Sequence, residues 1–389
     1  MLKNQARKLL SGVNQASAGL RSEAGCIATM IVERKTPVKL LLVSDLAIYT
    51  SEQQFAPFKR FSRELRRELG IVTRFMTVER AGKMSARQWA QFNVIGLKFS
   101  FRADEPSAMA LAQRIHNAID GTSARLVYFD GDDDLNILWP ELVRLVDVYV
   151  KKHMYRDRAD NAVLRNGKSN LTDWVVHEHG QSFDGNEITC SRPLDLSLSH
   201  KLWTGWNIGL DDKIATLASR MPPPSADQRP VDVCSRALVS ENDWIFPLRE
   251  KIITQLEHMS SSMKVLVPRA RVSQEQYYEE MRMSKICVSP FGYGEICWRD
   301  YEAILLGCLL VKPYMGHVET APDIFIPEVT YVPVKWDFSD LPQVCTHYLA
   351  DSVARSRIVK QAFTAVMESQ RPDWFIGRVR ALLQKAAIR

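Results

Sequence analysis

Charged side chains follow a glycine-containing segment between Ser284 and Pro313. Arg299 and Glu302 are three residues apart, so they share one face of a helix close to its start. Backbone N–H groups and the helix dipole favour an anionic ligand at that end of a helix. These residue types at this spacing therefore predict a binding site that suits a diphosphate.

The elements that must position these side chains can be predicted from the same segment. Ile286–Ser289 is a short apolar run typical of a buried strand, and Gly292 and Gly294 then predict a loop. A helix follows from about Trp298, and Leu309–Lys312 predicts a second strand after it. A strand, a loop, a helix and a strand in this order indicate a ligand site in an α/β protein.

This segment resembles the nucleotide-sugar motif of exostosin-like glycosyltransferases and, more loosely, the C-terminal domain of GT-B glycosyltransferases. The resemblance rests on two runs, Pro290-x-Gly292-Tyr293 and Arg299-x-x-Glu302-Ala303-Ile304-x-x-Gly307-Cys308. It implies that Glu302 holds the ribose of the donor nucleotide and that Arg299 lies by the diphosphate. Gly292 and Gly294 would belong to the same donor site.

The motif leaves two questions open. Many retaining GT-B enzymes carry two glutamates separated by seven residues, whereas six separate Glu295 from Glu302 here, so the stereochemistry stays undecided. The alternative to a donor site is a plain strand, loop and helix in which Glu302 is a solvated charge and the glycines only form turns.

Length and composition predict two domains with cores of ordinary size. The chain has 389 residues, 46% of them apolar, and nine tryptophans. The net charge of +6 comes from scattered basic residues, which does not suggest a nucleic-acid-binding protein but fits an enzyme for phosphorylated donors. Seven cysteines without a C-x-x-C pair favour a reducing compartment over a disulfide framework or a zinc ribbon.

The expected location is the cytoplasm. No apolar stretch is long enough to span a membrane, and the first residues lack the apolar core of a signal peptide. The opening sequence MLKNQARKLLSGV leaves open a peripheral contact with the inner face of a membrane as a short amphipathic helix, the alternative being a frayed first helix.

Alternating strand and helix patterns predict the fold class, which is α/β and GT-B-like, with two Rossmann-like domains facing each other across a cleft. Val38–Ser44 is typical of a buried parallel strand, and Val231–Cys234 begins a second alternating set. The rhythm is lost over residues 155–230, which places the boundary after residue 220. Residues 1–220 are then the acceptor-binding domain and residues 221–389 the nucleotide-sugar-binding domain, whose last helices cross back by the same resemblance.

An acidic run, Asp130-Gly131-Asp132-Asp133-Asp134, allows three interpretations. Its carboxylates could hold a divalent metal, or Asp130 or Asp132 could deprotonate an acceptor hydroxyl, or the run could form a turn and cap a helix that begins near Leu138. Asp45, at the end of the first strand, is a second candidate base. No metal site is included in the prediction.

Four further side chains are candidates around the donor. Arg236 could reach a phosphate, and Lys312 could neutralise the leaving diphosphate. His317, as a catalytic residue, and Glu319 follow a strand where the donor sugar should lie. A surface ion pair, a lysine at a strand end and a histidine packed in a loop are the structural alternatives.

The sequence thus predicts a metal-independent glycosyltransferase with a nucleotide-sugar donor as substrate, a glycan or other hydroxyl acceptor and no required cofactor. By analogy its pathway would be surface polysaccharide or lipopolysaccharide synthesis. One alternative is a degenerate GT-B-like protein that binds glycan or nucleotide as a scaffold. Another is a different nucleotide-dependent transferase or epimerase, against which stands the lack of a G-x-G-x-x-G or Walker A sequence.

Overall fold

The computed structural model describes residues 37–45, 52–180, 192–225, 229–237, 240–241 and 243–388. The predicted N-terminal amphipathic helix lies outside these residues. Within the described part of the chain, no helix is both long and apolar enough to cross a bilayer.

The first half of the chain builds a parallel sheet of six strands. Its strands are β1 (Val38–Ser44), β2 (Ile71–Thr77), β3 (Val94–Lys98), β4 (Arg125–Asp130), β5 (Val148–Lys151) and β7 (Leu202–Thr204). Their order is β2-β1-β3-β4-β5-β7, and every neighbouring pair is parallel. This is a doubly wound sheet whose strand order reverses between β1 and β3.

Helices cover both faces of this sheet. They are α1 (Ala56–Arg60), α2 (Ser62–Leu69), α3 (Val78–Ala81), α4 (Ala86–Trp89), α5 (Glu105–Ile119) and α6 (Pro140–Leu145). The next helix, α7 (Asn170–His179), instead places Leu171 in the core of the second sheet. Alternate residues of β1 point to opposite faces, so Leu41 packs with α5 while Leu42 packs with Phe58 of α1. The near-continuous apolar run of β1 follows from this burial on both sides.

The second sheet has five strands and repeats the same plan. Its strands are β8 (Val231–Cys234), β9 (Val265–Leu266), β10 (Ser284–Val288), β11 (Leu309–Pro313) and β13 (Val332–Val334). The order β9-β8-β10-β11-β13 is again parallel and reverses between β8 and β10. Its helices are α8 (Asp212–Ala218), α9 (Phe246–Met259), α10 (Gln274–Arg282), α11 (Trp298–Leu305), α12 (Leu341–Ala350) and α13 (Ser352–Ser369).

Helices at both ends of the second half cross the boundary that the sequence predicts after residue 220. The last helix, α14 (Pro372–Lys385), places Phe375 against Phe58 and Trp206 in the core of the first sheet. Helix α8 lies before residue 220, yet its Ile214 and Leu217 belong to the core of the second sheet.

The carboxyl edges of the two sheets face each other and are joined directly. Strands β6 (His153–Tyr155) and β12 (Val318–Thr320) form a two-stranded antiparallel sheet between the two halves. The side chain of Asn207 donates a hydrogen bond to Thr320 Oγ1 at 2.8 Å and accepts one from the Tyr301 hydroxyl at 2.7 Å. This topology confirms the predicted fold class, α/β with two Rossmann-like domains in a GT-B-like arrangement.

Predicted and observed elements agree best where apolar runs are continuous. Strands β1 and β8 match their predictions to the residue, and the helix predicted from Trp298 begins there. The strand and helix rhythm is lost in the sequence over residues 155–230, but this region contains α7, β7 and α8. These elements are short and carry few consecutive apolar residues, so their periodicity is weak in the sequence.

Candidate functional site

The second sheet reverses its strand order between β8 and β10, and ligands of doubly wound sheets bind outside the carboxyl ends at such a point. Arg299, in the first turn of α11, lies across this position. Its Nη1 donates to the carbonyl of Arg236 at 2.5 Å, its Nε to Ser289 Oγ at 3.0 Å, and its Nη2 to the carbonyl of Pro290 at 3.0 Å. The guanidinium therefore bridges the ends of both strands.

A second guanidinium, that of Arg249 on α9, lies beside the first. Its Nε donates to the carbonyl of Phe291 at 3.3 Å, and its Nη2 would be 3.5 Å from a Cβ placed on Gly292. Burial and the nearby charge of Arg299 lower the pKa of Arg249, although an arginine stays charged at neutral pH. Among the residues that the structure describes, neither guanidinium forms an ion pair with a carboxylate.

Nearby acidic groups are already engaged with other partners. Asp243 accepts a hydrogen bond from the Tyr293 hydroxyl, and Asp300 is paired with Lys312. The sequence does not point to Arg249, because this residue lies in the first turn of an amphipathic helix far from the motif. Only the packing of α9 against the loop of residues 290–294 brings it to the site.

Glu302 is buried, with 2% of its surface exposed, so it is not the solvated charge of the alternative interpretation. Its carboxylate accepts hydrogen bonds from the hydroxyls of Tyr277 at 3.1 Å and Tyr278 at 3.0 Å. Lys213 of α8 forms an ion pair with it at 2.7 Å. These three bonds leave Oε2 able to accept one more hydrogen bond, because a carboxylate has about four acceptor positions.

The acidic run after β4 is neutralised by lysines from other elements. The ion pairs are Asp130–Lys151 at 3.0 Å, Asp132–Lys98 at 3.1 Å, Asp133–Lys152 at 2.5 Å and Asp134–Lys168 at 3.3 Å. Burial raises the pKa of Asp132, whereas Lys151 and Lys98 hold the pKa of Asp130 below its usual value against the effect of burial.

The start of helix α6 contradicts the helix-cap interpretation of the acidic run. Helix α6 starts after Trp139, which makes no side-chain cap, and no aspartate of the run caps it. The turn is present, since Asp130 accepts a bond from the backbone N–H of Asp132 at 3.0 Å. Over the described ranges, no three histidine, cysteine or acidic side chains are grouped so as to hold a metal ion.

Asp45 lies at the corresponding reversal point of the first sheet, between the ends of β1 and β3. Its carboxylate accepts a hydrogen bond from the backbone N–H of Ser100 at 2.5 Å, and its own N–H donates to the carbonyl of Lys98 at 3.4 Å. This position fits a ligand-binding residue of a doubly wound sheet.

His317 and Glu295 are brought together between the two halves. His317 Nε2 lies 3.3 Å from Glu295 Oε1, and the imidazole packs against Trp336 with ring centres 5.1 Å apart. Glu295 is fully buried and also accepts from Asn170 Nδ2 at 2.7 Å. Burial acts to raise the pKa of Glu295, but its bonds to His317 and Asn170 and the nearby His153 lower it overall.

The other side chains predicted to contact the donor are bonded to charged groups of the protein. Arg236 forms two bonds with the carboxylate of Glu280, at 2.5 and 2.6 Å. Glu319 pairs with Arg158 at 2.7 Å and also accepts from a threonine of β7. Lys312 is fully buried beside Asp300. The structure thus gathers Arg249, Arg299, Gly292 and Glu302 at one end of the second sheet.

The fold and this site define an α/β protein with two doubly wound sheets. The second sheet carries a positively charged site that suits an anionic ligand. No family model matches the sequence, and no curated protein matches it. Three solved structures illustrate what the chain is similar to.

One is HepE from Anabaena in complex with UDP, with 12% identity and a TM-score of 0.47 over 89% of this chain and 99% of that one. A glycosyltransferase from Rickettsia africae has 11% identity and a TM-score of 0.48 over 90% and 99%. Sucrose-phosphate synthase from Thermosynechococcus elongatus has 11% identity and a TM-score of 0.44 over 89% and 98%. These values describe a distant likeness, so the chemistry must come from this chain's own residues.

Proposed function

We propose that this protein is a glycosyltransferase that moves a sugar from a nucleotide-activated donor to an acceptor hydroxyl. The observation that supports this most is the pair of guanidiniums, Arg249 and Arg299, beside the loop of residues 290–294. Two half-buried cations without a carboxylate ion pair among the described residues leave positive charge for a ligand to balance. A donor diphosphate has the charge and the oxygen geometry that two guanidiniums bind well.

In the proposed reaction the bond between the anomeric carbon and the diphosphate oxygen breaks, and the acceptor oxygen forms a new bond to that carbon. Negative charge develops on the leaving diphosphate, where Arg249 and Arg299 stabilise it electrostatically. The acceptor hydroxyl proton passes to a base if the reaction inverts. Because Asp130 and Asp132 are paired with buried lysines, Asp45 and His317 are the better-placed candidates.

Finer parts of the proposal concern the nucleotide. Glu302 would hold the ribose, as the resemblance to exostosin-like enzymes implies, through the acceptor position that Tyr277, Tyr278 and Lys213 leave on its carboxylate. Metal-independent binding is supported by the two arginines, which supply the charge that a cation would otherwise provide. No cofactor is included in the proposal.

The biological setting rests on the resemblance alone. A surface polysaccharide or lipopolysaccharide acceptor, a cytoplasmic location and a peripheral contact with the membrane are therefore proposals without support from the geometry. The same holds for the assignment of residues 1–220 to the acceptor, whereas Arg249 and Arg299 support the assignment of residues 221–389 to the donor.

A thermal-shift screen with UDP, GDP, ADP, TDP and CMP, with and without magnesium, tests the donor site. We expect one nucleotide to raise the melting temperature without magnesium, because a ligand that binds only the folded state stabilises it. R249Q and R299Q should reduce the shift, while R282Q, which removes an exposed arginine paired with Glu279, should not. No shift with any nucleotide in the unaltered protein would count against the proposal.

Turnover separates the enzyme from the scaffold alternative. The nucleotide that binds identifies the donor class, and release of that nucleotide from its sugar conjugates in the presence of candidate acceptors measures transfer. Binding without release on any donor would favour a degenerate binding protein over an enzyme.

A further inference from the structure

A chain of buried polar groups runs behind Arg299. Arg299 Nε donates to Ser289 Oγ at 3.0 Å, and the Ser289 hydroxyl donates in turn to Asp300 Oδ1. Lys312 Nζ lies 3.1 Å from Asp300 Oδ2 and 3.2 Å from Oδ1. Ser289, Asp300 and Lys312 are each 0% exposed, so no solvent competes for these bonds.

The ion pair between Lys312 and Asp300 is costly to bury, because apolar rings surround it. The Lys312 ammonium lies 5.1 Å from the ring centre of Phe291 and 5.9 Å from that of Phe325. A buried ion pair gives little net stability compared with apolar side chains of the same volume, so stability alone does not explain its presence. Its carboxylate also accepts the backbone N–H of Cys297 at 2.8 Å, which fixes the start of α11.

We infer that Ser289 is a positioning residue, whose hydroxyl, oriented by the buried Asp300–Lys312 pair, holds the guanidinium of Arg299 at the donor site. Because the Ser289 hydroxyl donates its hydrogen bond to Asp300, the lone pairs of its oxygen are directed to Arg299 Nε. Lys312 holds the Asp300 carboxylate in place through its ion pair. This inference rests on the proposed function, since it assigns Arg299 a ligand.

The geometry explains why a serine is suited to this position. The hydroxyl can accept from one partner and donate to another, which a carbonyl or an ammonium cannot do. Arg299 also donates hydrogen bonds to the carbonyls of Arg236 and Pro290, which restrict the orientation of the guanidinium plane. The Ser289 bond is the one that links this plane to the buried ion pair.

The test is a double-mutant cycle with inorganic pyrophosphate, the part shared by all nucleoside diphosphates, and calorimetric titration. We expect R299Q to weaken binding about 10-fold and S289A about 5-fold, as for hydrogen bonds to charged groups. In the R299Q background, S289A should cause no further loss, because its effect passes through Arg299. A merely structural role would lower the melting temperature and leave the affinity of the folded protein unchanged.

Ser235 offers a matched control at the neighbouring strand end. It is also buried, and its hydroxyl donates to the carbonyl of Val288 at 2.9 Å, whereas Arg299 bonds Ser289, Arg236 and Pro290 instead. S235A should therefore bind pyrophosphate as the unaltered protein does. All titrations are made below the melting temperature of each variant, so a loss of stability does not obscure affinity.

The outcomes distinguish the positioning role of Ser289 from the donor site itself. If R299Q weakens binding and S289A does not, the positioning role is wrong while the donor site stands. If R299Q binds as tightly as the unaltered protein, or the unaltered protein does not bind pyrophosphate, the donor site assignment fails and the positioning role fails with it.

Discussion

Gly294 lies directly against the carbonyl oxygen of Asp133. A Cβ atom added to Gly294 would fall far inside the allowed contact distance from that oxygen. The two residues follow β10 and β4, so the contact joins loops at the carboxyl edges of the two sheets. Gly294 is therefore required for the approach of the two halves.

G294A should separate or distort this contact. Because the obstructing atom is backbone, we expect a loss of about 1–3 kcal/mol or more in the free energy of unfolding, as for overpacking in a core. Urea denaturation measures the loss, and the nucleotide-induced thermal shift should fall with it.

Gly377 provides the matched control for this substitution. It lies inside α14, and a Cβ atom added there would have no heavy atom within 4 Å, so an alanine fits. G377A should be neutral or stabilise the protein by about 0.5–1 kcal/mol, since alanine favours a helix interior over glycine. Equal effects of the two substitutions would contradict the predicted contact.

K151M should be strongly destabilising. It leaves the buried carboxylate of Asp130 without its nearest cation, and breaking one side of a buried pair costs about 3–5 kcal/mol. Chemical denaturation checks this value. The double variant D130N/K151M should recover part of the loss, because the remaining amide still accepts from the Tyr149 hydroxyl.

An exposed lysine serves as the comparison for K151M. Lys83 pairs with Glu79 at 2.9 Å on the surface, where both side chains are solvated. K83M should therefore leave stability almost unchanged. A small effect of K151M, similar to that of K83M, would mean that the Asp130 pair is not buried in solution.

The stability of the protein should fall in mild acid through His153. Burial and the adjacent Lys152 lower the pKa of His153 to about 3, from an ordinary value of 6.5. Between these two values the unfolded chain binds a proton that the folded chain does not, so stability decreases as pH falls from about 6.5 towards 3. At pH 5 the loss in the free energy of unfolding that comes from His153 reaches about 2 kcal/mol.

H153Q should make the pH dependence of unfolding shallower over this interval, because glutamine does not titrate. It can still donate to the carbonyl of Asp133, which now accepts from His153 Nε2 at 2.8 Å. The exposed His258 gives the control H258Q, whose stability at neutral pH should be almost unchanged. An unchanged slope in H153Q would show that His153 is protonated in the folded protein.

His317 should affect turnover more than binding if it takes the acceptor proton. Its Nε2–H faces Glu295, which leaves Nδ1 as the basic nitrogen. H317Q should lower kcat about 100-fold or more, with a smaller change in the KM for the donor. A kcat in H317Q close to that of the unaltered protein would transfer the role to Asp45.

Local pattern was sufficient for the central strands and for the segment that carries Arg299 and Glu302. Continuous apolar runs define β1 and β8 because strands buried on both faces need no polar residues. The short strands β6 and β12 carry no such signal, since three residues are too few to show a period. Their pairing follows from the way the two halves dock.

The sequence by itself determined the two sets of parallel strands and the strand, loop and helix that present Arg299. Only the tertiary structure decided which charges remain available to a ligand. The acidic run after β4 suggests a metal or a base in the sequence, but lysines from other elements neutralise it, whereas Arg249 approaches Arg299 from another helix. Ion pairing depends on distances of a few ångströms between residues far apart in the chain, and packing sets those distances.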